Sequence, residues 1–304
     1  MTETSAGRPA SVAEVSEALA AHGYLADEGL ATTIFLAIAL ARPLFLEGDA
    51  GVGKTEVAKV LSAWTGGELL RLQCYEGINL AQAAYEWDYS RQLLHLRAVE
   101  ATGESARQAE EEIYTERFLV RRPLLSALEP TEGPVPVLLV DEIDRADDEF
   151  EAFLLEILSE YAVTVPELGT IRAAEPPVVE LTSNRTRDVH DALKRRCLYH
   201  WVEHPSFERE VEIIRLRAPE ASGRLAREIA AAAASLRELG LYKPPGVAET
   251  IDWASAVASL GRESLDARTA DLTLGAVLKY QEDQARVRAA GLSEMVRAAV
   301  QRSG

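Results

Sequence analysis

Short apolar runs alternate with amphipathic stretches of helical period from about residue 30 onward. PLFLE (43–47) reads as a short buried strand, and TEVAKVLSAWTGG follows as a helix with Val57, Val60, Leu61 and Trp64 on one face, stopped by Gly66 and Gly67. ELLRLQC is a second strand. VPVLLV (135–140) is the continuous apolar run of a strand covered on both faces. DDEFEAFLLEILSEY places Phe150, Phe153, Leu154, Ile157, Leu158 and Tyr161 on one stripe opposite an acidic face. VVELTSN and LYHWVEH are two more strands, separated by the short helix RDVHDALKRR. The pattern predicts an α/β fold: a five-stranded parallel sheet with helices on both faces.

Past Pro205 the texture becomes helical only. SFEREVEIIRLRAPE, RLAREIAAAAASLRELG, ETIDWASAVASLG, DLTLGAVLKYQED and SEMVRAAVQR follow without an intervening strand. The expected organisation is an N-terminal segment (1–24) too polar and small to place, an α/β domain (25–210) and a small all-helical domain (211–304), with the boundary near 205–220. Two stretches interrupt the α/β region: 75–115, ending in the acidic ATGESARQAEEE that reads as mobile, and PELGTIRAAEPP at 166–177.

Composition narrows the partners. The 304 residues carry 49 acidic against 32 basic groups, a formal charge of −17 that repels nucleic-acid backbones and anionic lipid. Only two cysteines, Cys74 and Cys197, occur, in no metal or redox spacing, which points to a reducing cytoplasm. His200 and His204 read as surface or packing residues. The N-terminus lacks the basic start and long apolar stretch of a secretory signal. GLATTIFLAIALA (29–41) is shorter than the roughly 20 residues a bilayer needs and runs into Arg42 and Pro43, so it reads as a buried helix.

The chemistry begins at GDAGVGKTE: Gly48, Asp49, Ala50, Gly51, Val52, Gly53, Lys54, Thr55 and Glu56. The stretch fits G-x-x-x-x-G-K-[ST] between a predicted strand and a predicted helix, the context in which the pattern signifies a phosphate loop. Glycines let backbone N–H groups turn toward phosphate oxygens, Lys54 faces the β and γ phosphates, and the Thr55 hydroxyl can ligate Mg²⁺. VLLVDEID then ends an apolar strand in adjacent carboxylates. Asp141 can hold the Mg²⁺ shell and Glu142 can polarise the attacking water. Asp144 reads as structural or as an ion-pair partner of Arg145.

In LTSNRTRD, Asn184 ends the strand expected between the two motif strands, where its amide could hold the lytic water; a turn asparagine is the competing view. ALKRRC offers an arginine pair suited to reach a neighbouring subunit's site as a charge-stabilising finger, Arg196 first and Arg195 second, against ordinary surface arginines. No N-K-x-D base-reading motif occurs, so ATP is favoured over GTP.

The set GDAGVGKTE, VLLVDEID, LTSNRTRD and ALKRRC, with the helical tail, resembles the AAA+ P-loop NTPases and, within them, the MoxR group. The resemblance covers roughly residues 25–290. QCYEGINLAQAAYEWDYSRQLLHLR, FLVRRPLLSAL and TLGAVLKYQED are most similar to MoxR proteins associated with maturation of carbon monoxide dehydrogenase and related molybdenum hydroxylases. The resemblance implies an ATP- and Mg²⁺-dependent ring, typically a hexamer, that works with a von Willebrand factor A domain protein on a client enzyme. It also implies that residues 211–304 form a lid.

By position the family's phosphate loop falls on residues 48–55, its carboxylates on Asp141 and Glu142, its sensor asparagine on Asn184 and its finger on Arg196. One group departs from the pattern: where many such lids carry an arginine for the γ phosphate, GVAETIDW has Thr250, with Arg268 a weak substitute. Tyr75, Tyr85, Trp87 and Tyr89 fall where insertions face a ring's pore, although aromatics are as readily core. AVTVPELGTIRAAEPPVVEL resembles a hairpin whose PELGT tip contacts a client or a subunit. Two other functions share the motifs, a nucleic-acid motor and an ATP-dependent scaffold. The charge disfavours the first, and Glu142, a base that a binding module does not need, disfavours the second.

Overall fold

In the computed structural model, nine strands among the described residues form one five-stranded sheet and two hairpins. The described residues are 9–102, 112–130 and 132–303. Most of the acidic stretch expected to be mobile lies outside them. The main sheet has the order β2 (Leu69–Gln73), β5 (Val137–Asp141), β8 (Val178–Ser183), β1 (Leu44–Gly48), β9 (Leu198–Val202). It is parallel, as the sequence predicts, with Gln73 opposite Asp141, Val140 opposite Leu181 and Glu47 opposite Ser183. Continuous burial of β1 and β5 explains their unbroken apolar runs.

The described residues divide into two compact units. The first takes the chain up to Ala18, Asp27–Glu47 and Val57–His200; the second takes Leu19–Ala26, Gly48–Glu56 and the chain from Trp201 on. In the first, one sheet face presents Phe45, Leu72, Leu138, Val140, Val179 and Leu181 to Phe150, Leu154, Ile157 and Leu158 of the helix Asp148–Glu160. Each such side chain contributes about 1.5–3 kcal/mol on burial. The helix Glu28–Ala39 is capped by Asp27, whose carboxylate accepts from the Leu30 N–H at 2.7 Å.

The acidic face expected on Asp148–Glu160 is not uniformly solvated. Glu151 is buried, paired with Arg187 and accepting from the His190 N–H at 2.7 Å. The described residues of the stretch 75–115 also contribute regular elements. β3 (Tyr85–Trp87) pairs antiparallel with β4 (Leu119–Arg121), and Trp87 is buried edge-on against Tyr114. Trp87 is therefore core, while Tyr75 and Tyr89 are exposed. β6 (Ala162–Val165) and β7 (Gly169–Arg172) form the predicted hairpin.

The second unit packs its helices on Trp253, which is fully buried and donates Nε1–H to Thr273 at 2.8 Å. DLTLGAVLKYQED, expected as one helix, is two: Ala267–Val277 stops at Leu278, extended at φ −120°, and Gln281–Ala289 begins afterwards. Burial of Leu278 and Asp283, the latter accepting from the Tyr242 and Lys243 N–H groups, bends the chain there. The N-terminal segment, left unplaced from sequence, contains the helix Val12–Ala21 with Val15 and Leu19 buried one turn apart.

Candidate functional site

Parallel pairing sets the carboxyl ends of β2, β5, β8 and β1 along one edge of the sheet. Asp141 ends β5 there, 3% exposed. Its Oδ1 accepts from the Thr182 hydroxyl at 2.6 Å, and its Oδ2 pairs with Arg71 at 2.5 Å. The next residue, Glu142, is left-handed at φ 56°, ψ 50°, a conformation that costs a side-chain-bearing residue about 1–2 kcal/mol. The reversal separates the directions of two adjacent carboxylates. It is held by the Glu142 N–H donating to Thr182 Oγ1 at 2.9 Å.

The Glu142 carboxylate is gripped from three sides. Asn184 Nδ2 donates to Oε1 at 3.1 Å, Gln73 Nε2 to Oε2 at 3.0 Å, and Arg145 Nε lies 2.9 Å from Oε2. Asn184 thus meets the carboxylate itself. Arg145 pairs with Glu142 and not with Asp144, which is buried and accepts from the Thr186 N–H and hydroxyl at 2.8 and 2.7 Å. Asp144 is the structural residue of the motif: it ties the turn after β5 to the loop after β8. Cys74 lies in the same neighbourhood. Burial, then the Asp141 charge, push its thiol up to about 12, so it is no nucleophile at neutral pH.

Beside β8, Glu47 is buried and accepts from Tyr199 Oη at 2.9 Å, with Lys194 at 3.6 Å. Lys194 belongs to the helix Asp191–Arg196, whose end is fastened by Arg42: its guanidinium donates to the carbonyls of Arg195, Arg196 and Cys197 at 2.8, 3.0 and 3.1 Å. A cation on the last carbonyls satisfies a helix end. Arg195 and Arg196 are exposed, and Arg196 donates to the Ser159 carbonyl at 2.8 Å. They do not join the Glu142 cluster.

The glycine-rich loop belongs to the second unit. Gly51 and Gly53 have φ of +81° and +95°, open to glycine, and a Cβ on Gly48 would collide with the Val202 carbonyl. Lys54, 6% exposed, donates to the Gly48 and Asp49 carbonyls at 2.8 and 2.7 Å. Asp49 and Ala50 are exposed, Val52 is buried, and Thr55 and Glu56 are half-buried, Glu56 pairing with Arg217 at 2.9 Å. Asp49 lies 3.8 Å from His204, whose basicity is lowered by burial and then by the Arg237 charge.

No cluster of three or more His, Cys, Asp or Glu suited to a metal occurs among the described residues. A Mg²⁺ carried by a nucleotide asks for only one or two protein oxygens beside the phosphates. Each unit offers one oxygen of the right hardness for that mode, the Asp141 carboxylate in the first and the Thr55 hydroxyl in the second.

The family model for the AAA domain, dynein-related subfamily, matches residues 43–197, more than half of the chain. The chain belongs to the AAA family, dynein-related subfamily. Every residue discussed above from Lys54 to Arg196 lies within that AAA domain. Among solved structures, a candidate ATPase of Cytophaga hutchinsonii is similar at 14% identity and a TM-score of 0.47, covering 95% of this chain and 93% of that one. The Thermotoga maritima RuvB Holliday junction branch migration motor is similar at 15% identity and a TM-score of 0.45, over 88% of this chain and 72% of that one. A single-site variant of that RuvB gives 16% identity and a TM-score of 0.47 over the same shares. A comparison with curated proteins finds no match.

In this AAA domain the residues missed by sequence reasoning are Arg71, Gln73 and Thr182. A signal existed for the first two: LLRLQ is an apolar strand interrupted by polar residues at alternate positions, which share one face. Thr182 had none, since threonine is ordinary in a strand.

Proposed function

We propose that this AAA protein hydrolyses ATP and couples the reaction to remodelling of a client protein, as one subunit of a ring. The loop Gly48–Glu56 would hold the triphosphate, with Lys54 against the β and γ phosphates and Thr55 and Asp141 as the Mg²⁺ oxygens. Mg²⁺ supplies charge neutralisation on the phosphates when bound. Glu142 would take the proton of the attacking water, with Asn184 orienting that carboxylate, and Arg196 would complete the site of a neighbouring subunit. Residues 211–304 would serve as the lid of the 25–210 nucleotide domain, after the 1–24 segment.

The observation that carries this reading is the grip of Asn184 and Gln73 on Glu142, at 3.1 and 3.0 Å, beside the buried Asp141. A base held by hydrogen bonds at a strand's end has a use in hydrolysis and none in passive binding. A net charge of −17 supports a protein client over a nucleic acid. The sequence resemblance supports the MoxR group, a von Willebrand factor A domain partner and maturation of a metal-cofactor enzyme. Two free, buried cysteines suit the cytoplasm. No helix of the described residues is long and apolar enough to cross a membrane.

Calorimetry with ATP and ADP, with and without Mg²⁺, followed by phosphate release in the presence and absence of DNA, tests the reading. Mg²⁺-dependent binding with turnover indifferent to DNA is expected. An absence of binding heat would refute it; DNA-stimulated turnover would transfer the protein to the nucleic-acid motors, and ATP-driven assembly without phosphate release to the scaffolds.

A further inference from the structure

The helical part lacks an arginine at position 250, yet a guanidinium stands behind the phosphate loop. Thr250 is fully buried and its hydroxyl donates to the Gly246 carbonyl at 2.9 Å. Arg268 is exposed on the helix Ala267–Val277. Arg237, the last residue of the helix Gly223–Arg237, instead reaches Thr250 Oγ1 at 3.1 Å and the Pro245 carbonyl at 2.8 Å. Its two terminal nitrogens pair with both oxygens of Glu210, itself 2% exposed, at 2.8 and 2.6 Å. The fork binds a carboxylate, a carbonyl and a hydroxyl at once, a combination that a lysine cannot reproduce.

What these bonds hold is the turn that touches the phosphate loop. The Val247 N–H donates to the Gly51 carbonyl at 2.9 Å, and Gly246 N–H is tied to Glu249 at 3.0 Å. The two backbones meet with no side chain between them. A Cβ on Gly246 would stand 2.7 Å from Gly51 Cα and 2.9 Å from its carbonyl carbon and oxygen. Phosphate oxygens that draw the loop's N–H groups would rotate the Gly51 peptide, whose carbonyl is bonded to the first residue of the helix Val247–Ser259. Close-packed contacts of this kind pass small displacements on without absorbing them.

We propose that Arg237 is the arginine by which the helical part responds to the terminal phosphate, a positioning residue that holds the Pro245–Gly246 turn against Gly51. The proposal rests on the reading of Gly48–Glu56 as a triphosphate site. It differs from a γ-phosphate contact by an arginine at residue 250 or 268, because the signal passes through the backbone of the loop.

Hydrogen exchange read by mass spectrometry on the full chain tests it, with Glu142→Gln as the parent so that ATP persists. Peptides spanning 48–56 and 244–252 are followed without nucleotide, with ADP and with ATP. In the parent both should slow with nucleotide, and 244–252 should slow more with ATP than with ADP. Arg237→Lys and Glu210→Gln should keep the response of 48–56 and lose the ATP-over-ADP difference at 244–252. The ratio of ATP to ADP affinity should fall about fivefold or more, the range of ordinary coupling between sites. A merely structural role would lower the melting midpoint and leave that ratio unchanged. If Arg237→Lys does not fold, Glu210→Gln, which leaves Arg237 in place and removes the charge that orients its fork, decides. Protection of 48–56 with no response at 244–252 in the parent would overturn the proposal alone; no response in either peptide would overturn the triphosphate reading and the proposal with it.

Discussion

Arg71 and Asp141 form an ion pair at 2.5 Å between neighbouring strands, and the pair places a protein cation on the carboxylate that the sequence assigns to Mg²⁺. The Asp141 side chain is nearly buried, whereas the Arg71 side chain is half exposed. A Mg²⁺ bound at Asp141 would have to compete with this guanidinium, whose exposed side chain can turn into solvent. An ion pair with one exposed partner contributes about 0.2–1 kcal/mol. Arg71→Gln should therefore lower the Mg²⁺ concentration for half-maximal nucleotide binding by up to about fivefold. Titration of a fluorescent ATP analogue with Mg²⁺ measures this, and an increased Mg²⁺ requirement would show that Arg71 assists the metal.

Lys54→Ala should abolish nucleotide binding, because the ammonium that now sits on the Gly48 and Asp49 carbonyls would be, in the proposed reading, the loop's own charge for the phosphates. Glu142→Gln should retain binding and lose turnover by about 10²–10⁴-fold, the usual contribution of a positioned base. Equal loss of binding in both variants, by calorimetry, would contradict the separate roles.

Arg196→Ala should cut turnover by about 10³-fold or more while leaving affinity nearly unchanged, as removal of a charge-stabilising finger does. Loss of its bond to Ser159 is a surface change. Mixing Arg196→Ala with Glu142→Gln should restore part of the activity, since some interfaces would then pair an intact finger with an intact base. A mixture as inactive as its components would argue against a finger acting in trans.

Glu180 is fully buried in the central strand with both carboxyl oxygens lacking a partner, and burial followed by the Asp141 charge holds its pKa well above the ordinary carboxylate value. The folded state keeps this proton while the unfolded state releases it, so stability is greatest below the unfolded pKa and declines as pH rises above it. Glu180→Met should raise the melting temperature, by a margin that widens between pH 5 and pH 8. A margin that shrinks over that range, in thermal denaturation, would show the carboxyl to be ionised and stabilising.

Most of the fold was legible because its signals are local. Apolar runs bounded by Gly and Pro marked β1, β5 and β8, and the phosphate-loop pattern is contiguous from Gly48 to Glu56. The candidate site was legible to the extent that the residues brought together there end strands: Asp141, Glu142 and Asn184 follow apolar stretches directly. Arg71, Gln73 and Thr182 were not, since their contacts lie 70, 69 and 41 positions away along the chain. The break at Leu278 was hidden because LYHWVEH-like alternation or proline, the usual warnings, are absent there, and only burial of Leu278 and Asp283 imposes it.

By itself the sequence determined the strand and helix periods and the parallel class of the sheet, and it singled out the candidate phosphate-loop and carboxylate residues, because each depends on spacings within one element. Tertiary structure alone decided that Arg71 occupies Asp141, that Arg145 and Asn184 hold Glu142, and that Arg237 braces Gly246 against Gly51. Those are choices among many possible partners for a charged or amide group, and only strand register and burial restrict them to one.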